Sequence, residues 1–371
     1  MKDVTTLRRL KGGRPIAGAR GAGHGCLIVH HSTFGMRNDA VVLAQAIRSR
    51  FADFDVFTWE VPLTPSKAAD VGRMDIVPDG LKPLLPFDFV IFLEHVRPIA
   101  RIWDPGFARS VALVPNLEWF MPFDEEAIRD NRLDAVLYKN AFSARLGSAL
   151  PALADVPLSR VVGWSSEDLA EGEPPGQMNY DLAIHLQGRS RQKQTPALLK
   201  AWLARPHFPR LVTISSSNDG LTLPAPADMA PNIRVFIDEI DNDRLRQMQR
   251  ERGIHVYPSA VEGFGLALDE ARSVGAVLVT TGAPPMNELV EDGVSGFLIP
   301  VRKGNASAFR RSVAFKVEED DIGAAVERVL ALSIAERRAM GARARAAYLR
   351  QRERFHAAIG DFVGDFVGER V

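Results

Sequence analysis

Two glutamates separated by seven residues, Glu262 and Glu270, flank a short glycine-spaced loop that follows an apolar strand signal. Gly263 and Gly265 leave room for backbone N–H groups to approach an anion closely. A helix that we predict to begin near Phe264 would direct its positive end and the loop amides at one point. A diphosphate fits such a point, and two carboxylates beside it require hydroxyl-rich partners such as a sugar and a ribose.

A second group of residues upstream offers cations. The stretch Gly188-Arg-Ser-Arg-Gln-Lys193 lies between a predicted strand, Asp181–Gln187, and a predicted helix, Pro196–Leu203. Fixed cations stabilise the negative charge that develops when a diphosphate departs. Arg189 and Lys193 are the candidates, with Arg191 as a substitute for Arg189; the alternative is a basic helix start that faces solvent.

The ordered string Pro-Ser-x-x-Glu-Gly-Phe-Gly-Leu-x-x-x-Glu-Ala, which contains Glu262 and Glu270, resembles the E-x7-E signature of retaining glycosyltransferases of the GT4 group. The segment Glu288–Pro300 continues this resemblance, which is far more specific than an isolated glycine motif. It implies the GT-B fold, in which two Rossmann-like domains face each other across a cleft and a last helix crosses back to the first domain. The alternative is an ordinary βαβ crossover with two solvated carboxylates.

The resemblance also implies roles for individual residues. Glu262 would contact the transferred sugar, and Arg189 and Lys193 would hold the departing diphosphate, so these three are the predicted catalytic residues. The predicted donor-binding residues are Glu270, on the nucleotide ribose, with Gly263, Phe264, Gly265, Leu266 and, in the first domain, Gly35. The implied reaction is a metal-independent front-face attack that retains the configuration, needs no cofactor, and passes the acceptor's proton to the leaving phosphate.

Four positions depart from the family pattern. Gln194 replaces a glycine after the lysine, Pro284-Pro285 replaces a Gly-Gly pair, and Gly35 alone matches a two-glycine loop in the first half. The family's histidine after the fourth strand is absent. Asn116 or His95 could serve the acceptor or the cleft instead, although a satisfied polar group at a strand end explains His95 equally well.

Three alternatives to a metal-independent transferase remain open. The altered N-terminal loop and the paired prolines suit a catalytically weak or inactive sugar-nucleotide-binding protein. A sugar phosphorylase shares the architecture but needs a lysine that binds pyridoxal phosphate. Asp241 and Asp243 form an Asp-x-Asp pair that could hold a metal ion, but they open a predicted helix, where acidic residues cap N–H groups.

Composition limits the class of protein. The chain has 371 residues, 46% of them hydrophobic and 25% charged, and a formal net charge of zero. It is long enough for two α/β domains, and its charge argues against a general nucleic-acid binder. The single cysteine, Cys26, is expected in the core and fits a cytoplasmic location, with peripheral membrane contact possible. The acceptor could be a glycan, a lipid-linked molecule or a small hydroxyl compound.

Strand and helix signals alternate along the chain, which predicts parallel sheets covered by helices. We expect a flexible basic tail over residues 1–23, an acceptor domain over 24–165 and a donor domain over 166–349, with 350–371 packing back on the first domain. The predicted strands are Cys26–His31, Asp55–Trp59, Phe87–Leu93, Ser110–Val114, Leu133–Tyr138, Asp181–Gln187, Arg210–Ser215, Asn232–Phe236, Ile254–Tyr257 and Ala276–Thr280.

Overall fold

The computed structural model describes residues 6–9, 23–30, 34–51, 54–61, 85–96, 105–131, 133–171, 178–215, 230–237 and 240–368. These residues fall into two compact units, one drawn from residues 1–165 and 351–371 and the other from 166–350. Each unit contains its own mainly parallel sheet with helices packed on it, so the predicted α/β class is confirmed. No helix in the described ranges is long and apolar enough to cross a membrane.

The first unit is built on seven strands. These are β1 (Thr6–Arg9), β2 (Gly23–His30), β3 (Phe54–Val61), β4 (Phe89–Glu94), β5 (Val111–Pro115), β6 (Ala135–Tyr138) and β7 (Leu158–Val161). The helices are α1 (Phe34–Arg50), α2 (Pro122–Asp130), α3 (Ala141–Gly147) and α4 (Pro151–Ala154). The sheet order is β1-β3-β2-β4-β5-β6-β7, and the pairings apart from β1–β3 are parallel.

The N-terminal residues 6–9 correct part of the predicted flexible tail. This segment pairs antiparallel with β3, with Thr6 opposite Glu60 and Arg9 opposite Phe57. A sheet edge presents unpaired N–H and C=O groups, and an added strand satisfies them. The prediction of a tail is therefore wrong for these four residues. Residues 1–5 and 10–22 lie outside the described ranges.

The central strands of the first sheet are buried along their whole length. Phe89–Glu94 and Val111–Pro115 contain only buried residues. Parallel strands covered on both faces require such continuous apolar runs, which is why the sequence located these strands within two residues. The side chain of Cys26, which we predicted to lie in this core, is outside the described part of the chain.

The second unit is built on a six-stranded parallel sheet. Its strands are β8 (Asn179–Gly188), β9 (Arg210–Ser215), β10 (Ile233–Ile237), β11 (Arg252–Tyr257), β12 (Val277–Thr281) and β13 (Gly296–Ile299), in the order β10-β9-β8-β11-β12-β13. A hairpin follows, made of β14 (Ala306–Phe309) and β15 (Ser312–Phe315). The helices are α5 (Thr195–Leu203), α6 (Asn242–Glu251), α7 (Leu266–Val274), α8 (Glu319–Leu330) and α9 (Ile334–Gly368), with short 3-10 helices at Arg191–Lys193 and Met286–Glu288.

The long helix α9 supplies residues to both units. In the second unit, the Tyr348 hydroxyl donates to the Ser166 carbonyl at 3.0 Å. In the first unit, Gln351 Nε2 donates to the Trp164 carbonyl at 2.9 Å, and the rings of Phe355 and Trp164 lie 4.9 Å apart. The helix is continuous from Ile334 to Gly368, and its many alanines and arginines have high helix propensity.

A buried ion pair joins α1 to the residue that follows β6. Lys139 Nζ lies 2.7 Å from Asp39 Oδ2, and the Trp164 indole donates to Asp39 Oδ1 at 2.7 Å. Both charged side chains are 5% exposed, and the lysine also lies 4.8 Å above the Trp164 ring. Each oxygen of the carboxylate is therefore satisfied inside the unit, and neither charge has ready access to water.

We predict that Asp39→Ala lowers the free energy of unfolding of the first unit by about 3 kcal/mol or more, because Lys139 would stay buried without a counter-charge. Urea denaturation followed by tryptophan fluorescence measures this. The matched control is Asp361→Ala, which breaks an exposed pair with Arg50 and should cost less than about 1 kcal/mol. Equal effects of the two substitutions would contradict the buried-charge argument.

Candidate active site

The candidate site lies where β8 and β11 end in the second unit. These two strands are parallel neighbours at the centre of the sheet, and strand order runs outward from them in opposite directions. At such a reversal the loops after the strands diverge and leave a crevice at the carboxyl edge. The loop from β8 to α5 carries the predicted cations, and the loop from β11 to α7 carries the predicted glutamate and glycines.

The loop after β11 presents the start of a helix. Helix α7 begins at Leu266, two residues later than predicted, because Gly265 caps it with φ of +100°, a conformation that favours glycine. The amides of Leu268 and Asp269 already bond to the Gly265 carbonyl. The Leu266 and Ala267 N–H groups precede these bonds and therefore point out of the positive helix end.

The predicted lysine and first glutamate are in contact. Lys193 Nζ donates to Glu262 Oε1 across the two loops, and the side chains are 18% and 13% exposed. The loops are also joined by their backbones, since the Ala260 N–H donates to the Gln192 carbonyl at 2.7 Å. The structure thus brings a cation and a carboxylate, 69 residues apart in sequence, to one place beside the start of α7.

Arg189 and Arg191 both lie on the loop after β8, and both are exposed. Arg189 directly follows Gly188, which has φ of +57°, and Arg191 begins the 3-10 helix. Their guanidinium groups make no hydrogen bond within the described residues. Either side chain is therefore available to an anionic ligand, and the geometry of the protein alone does not favour one of them.

A buried histidine fixes the start of α5. His185 Nδ1 lies 2.8 Å from the Val256 carbonyl, and its Nε2 lies 2.8 Å from Thr195 Oγ1. Burial lowers the pKa of His185 to about 4. The imidazole is neutral near pH 7 and links β8, β11 and α5 directly below the candidate site.

The second glutamate, Glu270, is held by a residue that the sequence did not indicate. Gln249 Nε2, from α6, donates to Glu270 Oε2 at 2.8 Å. Burial raises the pKa of Glu270 to about 7, and the hydrogen bond from Gln249 opposes that shift. The nearby Glu167, which pairs with Arg246 at 2.5 Å, raises the pKa further by charge repulsion. Gln249 and Glu167 lie far from the motif in sequence, so no local pattern could identify them.

Asp241 is a helix cap, as the sequence predicted. Its Oδ1 accepts a hydrogen bond from the Arg244 N–H at 2.8 Å at the start of α6, and Asp243 lies in the first turn. Within the described ranges, no group of three or more His, Cys, Asp or Glu side chains could hold a metal ion.

In the first unit the predicted residues lie at strand ends. His95 follows β4, and its Nδ1 is 2.9 Å from Asp124 Oδ2. Asp124 is fully buried and also accepts hydrogen bonds from the N–H groups of Val96 and Met121. His95 is thus an oriented, satisfied histidine, which was one of its two predicted interpretations. Asn116 follows the neighbouring strand β5, and its buried Oδ1 has no hydrogen-bond partner among the described residues.

Gly35 does not lie in a loop. The sequence predicted that Gly35 belongs to a glycine loop. Helix α1 instead begins at Phe34 and includes Gly35 in its first turn. The expected loop is therefore wrong at this position, and residues 31–33 lie outside the described ranges.

Comparison with known proteins identifies the fold of the chain and a domain family for part of it. Residues 229–346 match the family model "Glycosyl transferases group 1". A search of curated proteins finds no significant match. Among solved structures, a glycosyltransferase from Rickettsia africae aligns with a TM-score of 0.66 and 10% identity, over 94% of this chain and 99% of that one.

Two further solved structures are similar. A trehalose-6-phosphate protein from E. coli, bound to UDP-2-fluoro glucose, aligns with a TM-score of 0.63 and 13% identity over 94% of this chain and 99% of that one. The pneumococcal O-GlcNAc transferase GtfA, in complex with UDP and GlcNAc, aligns with a TM-score of 0.54 and 17% identity over 75% of this chain. The alignment spans only 57% of GtfA. The fold is therefore that of the GT-B proteins, with two Rossmann-like domains, and residues 229–346 carry a domain that matches the glycosyl transferases group 1 model.

Proposed function

We propose that the protein transfers a sugar from a nucleoside-diphosphate sugar to an acceptor hydroxyl, with retention of configuration and without a metal ion. The observation that carries this proposal is the contact between Lys193 and Glu262 beside the start of α7. At its reactive end a nucleotide sugar presents a diphosphate, sugar hydroxyls and the oxygen atoms that link the two. The cation suits the diphosphate, the carboxylate suits the hydroxyls, and the helix amides suit the linking oxygens.

Lys193 and Glu262 have one role when the site has no donor and another when a donor is bound. Without a donor, each charge neutralises the other, so neither is left partly buried without a partner. When a donor binds, its diphosphate attracts Lys193, and Glu262 is released to accept hydrogen bonds from sugar hydroxyls. The lysine then stabilises the charge that grows on the leaving diphosphate, with Arg189 as a second cation.

Glu270 binds the nucleotide ribose in this proposal. Gln249 occupies Oε2 of its carboxylate, which leaves Oε1 for the ribose hydroxyls. A carboxylate accepts such hydrogen bonds best when it is ionised. Gly263, Phe264, Gly265 and Leu266 contribute backbone N–H groups at the phosphate or the sugar, where the positive end of α7 adds to the attraction.

The proposed reaction takes place on one face of the sugar. The bond between the anomeric carbon and the diphosphate oxygen breaks, and the acceptor oxygen forms its bond to that carbon on the same face. The acceptor proton moves to the departing diphosphate oxygen. His95 and Asn116 are the proposed acceptor-side residues of the first unit, and the acceptor is a glycan, a lipid-linked molecule or a small hydroxyl compound.

The first test is a thermal-shift panel of nucleoside diphosphates and their sugars. A ligand that binds only the native state raises the melting temperature, by more when it binds more tightly. We expect at least one nucleotide sugar to raise it, and Glu270→Ala to abolish that rise while the unliganded protein still folds. Glu327→Ala, which removes an exposed carboxylate on α8, is the control and should keep the rise. An unchanged rise in Glu270→Ala would refute the ribose role.

We predict that donor affinity rises with pH across pH 7, because ionisation of Glu270, with its pKa near 7, creates the hydrogen-bond acceptor for the ribose. Titration calorimetry with the best nucleotide sugar from the panel, between pH 5.5 and 8.5, measures this. In Glu270→Gln the affinity should not change with pH in this window. A wild-type affinity that is flat across pH 7 would contradict the prediction.

The raised pKa of Glu270 also affects the stability of the unliganded protein, which falls as pH rises, whereas donor affinity increases. The folded state holds the Glu270 proton more tightly than the unfolded chain, whose glutamates have a pKa near 4.5. Stability from this group is therefore present below about pH 4.5 and is lost as pH rises towards 7. We expect the melting temperature of the wild type, minus that of Glu270→Gln, to fall as pH rises from about 4.5 to 7 and to stay constant above pH 7.

We predict that Lys193→Met lowers kcat by about 10²- to 10³-fold, because it removes a fixed charge that acts on the leaving group. A transfer or donor-hydrolysis assay with the nucleotide sugar found in the panel measures this. Lys200→Met, an exposed lysine on α5, is the matched control and should keep full activity. If the two variants have equal kcat, Lys193 does not stabilise the leaving group.

A further inference from the structure

Gln194 has a backbone conformation that its residue type does not favour. It lies between the 3-10 helix Arg191–Lys193 and α5, with φ of 50° and ψ of 33°. This left-handed conformation suits glycine and crowds the Cβ atom of other residues. A non-glycine residue persists there only when the surrounding structure compensates for the strain.

The side-chain amide of Gln194 supplies that compensation. Its Nε2 donates to the Pro258 carbonyl at 2.7 Å and to the Phe315 carbonyl at 3.1 Å. Its Oε1 accepts from the Val317 N–H at 3.1 Å. Both amide hydrogens and the oxygen are therefore used, and they join three segments. These are the loop after β11, the end of β15 and the residue two positions before α8.

The joined segments surround the contact between Lys193 and Glu262. Lys193 directly precedes Gln194, and Glu262 lies four residues after Pro258 in the same loop. The Phe315 N–H donates to the Ala260 carbonyl at 2.8 Å, so the end of β15 also supports that loop. Each loop that carries a charged residue is thus attached, close to that residue, to the same amide group.

We propose that Gln194 is a positioning residue, which holds the loop of Lys193 against the loop of Glu262 so that the lysine is in place before the donor arrives. This inference rests on the proposed function. A lysine side chain is long and flexible, and a charge stabilises a transition state most when it needs no rearrangement. Three hydrogen bonds beside the lysine backbone limit that rearrangement.

The test compares Gln194→Gly with the wild type. Glycine relieves the left-handed backbone but removes all three hydrogen bonds, so we expect a melting temperature close to that of the wild type. We expect kcat to fall at least tenfold, with a smaller change in KM for the nucleotide sugar. Gln192→Ala is the control, because the Gln192 side chain makes no hydrogen bond within the described ranges, and it should keep the wild-type kcat.

A second variant tests the inference in case Gln194→Gly does not fold. Asparagine tolerates left-handed backbone better than most residues, and it carries the same amide on a shorter stem that cannot reach all three partners. Gln194→Asn should therefore fold and show the same fall in kcat. A wild-type kcat in a folded Gln194→Gly or Gln194→Asn protein would overturn the inference.

A double-mutant cycle separates positioning from a general structural role. If Gln194 acts through Lys193, then Gln194→Gly should change kcat less than twofold in a Lys193→Met background. Independent, multiplying effects of the two substitutions would overturn the inference and leave the proposed function intact. If the wild type neither binds nor turns over any nucleotide sugar in the panel, the proposed function fails and this inference fails with it.

Discussion

The candidate site depends on one constraint of parallel sheets, which is that neighbouring strands deliver their following loops to the same edge. Strands β8 and β11 are paired although 63 residues separate the last residue of one from the first residue of the other. Because strand order reverses between them, nothing in the sheet fills the edge where both loops emerge. Lys193 and Glu262 meet there for this reason, and the start of α7 comes to the same place.

Charged side chains at the candidate site are mostly paired with an opposite charge, so few are both buried and unpaired. Lys193 is paired with Glu262, and Glu167 with Arg246. Glu270 is different, because its main partner is the neutral amide of Gln249 and burial raises its pKa to about 7. A carboxylate in such surroundings changes its charge near neutral pH, and a ligand that supplies hydroxyl groups favours the ionised form.

In the first unit, two buried carboxylates receive their hydrogen bonds from residues of the same unit. Asp39 accepts hydrogen bonds from Lys139 and Trp164, and Asp124 accepts from His95 and two backbone amides. These carboxylates are saturated by partners of their own unit, which is the usual condition of a structural polar group. Asn116, which follows β5, differs from these carboxylates because its buried oxygen has no partner among the described residues.

The sequence alone determined the alternation of strands and helices, the two-part α/β organisation of the described chain and the residues of the glutamate motif. Continuous apolar runs and glycine positions are local signals, and local signals are sufficient to find buried parallel strands and a helix cap such as Asp241. They placed the start of α7 only two residues early, because the φ of Gly265 depends on the surrounding loop. They missed β1, whose pairing needs the edge of β3, and the true start of α1 at Phe34.

Only the tertiary structure decided which side chains touch. Gln249 and Glu167 lie in segments with no motif of their own, and Gln194 departs from the motif that it follows. Each acquires its role from a partner in another segment of the chain. The raised pKa of Glu270 is likewise a property of its surroundings, since the same side chain in water would have an ordinary value. Sequence specifies the chemistry that a residue can offer, whereas burial and contact across the sheet edge determine whether it can be used.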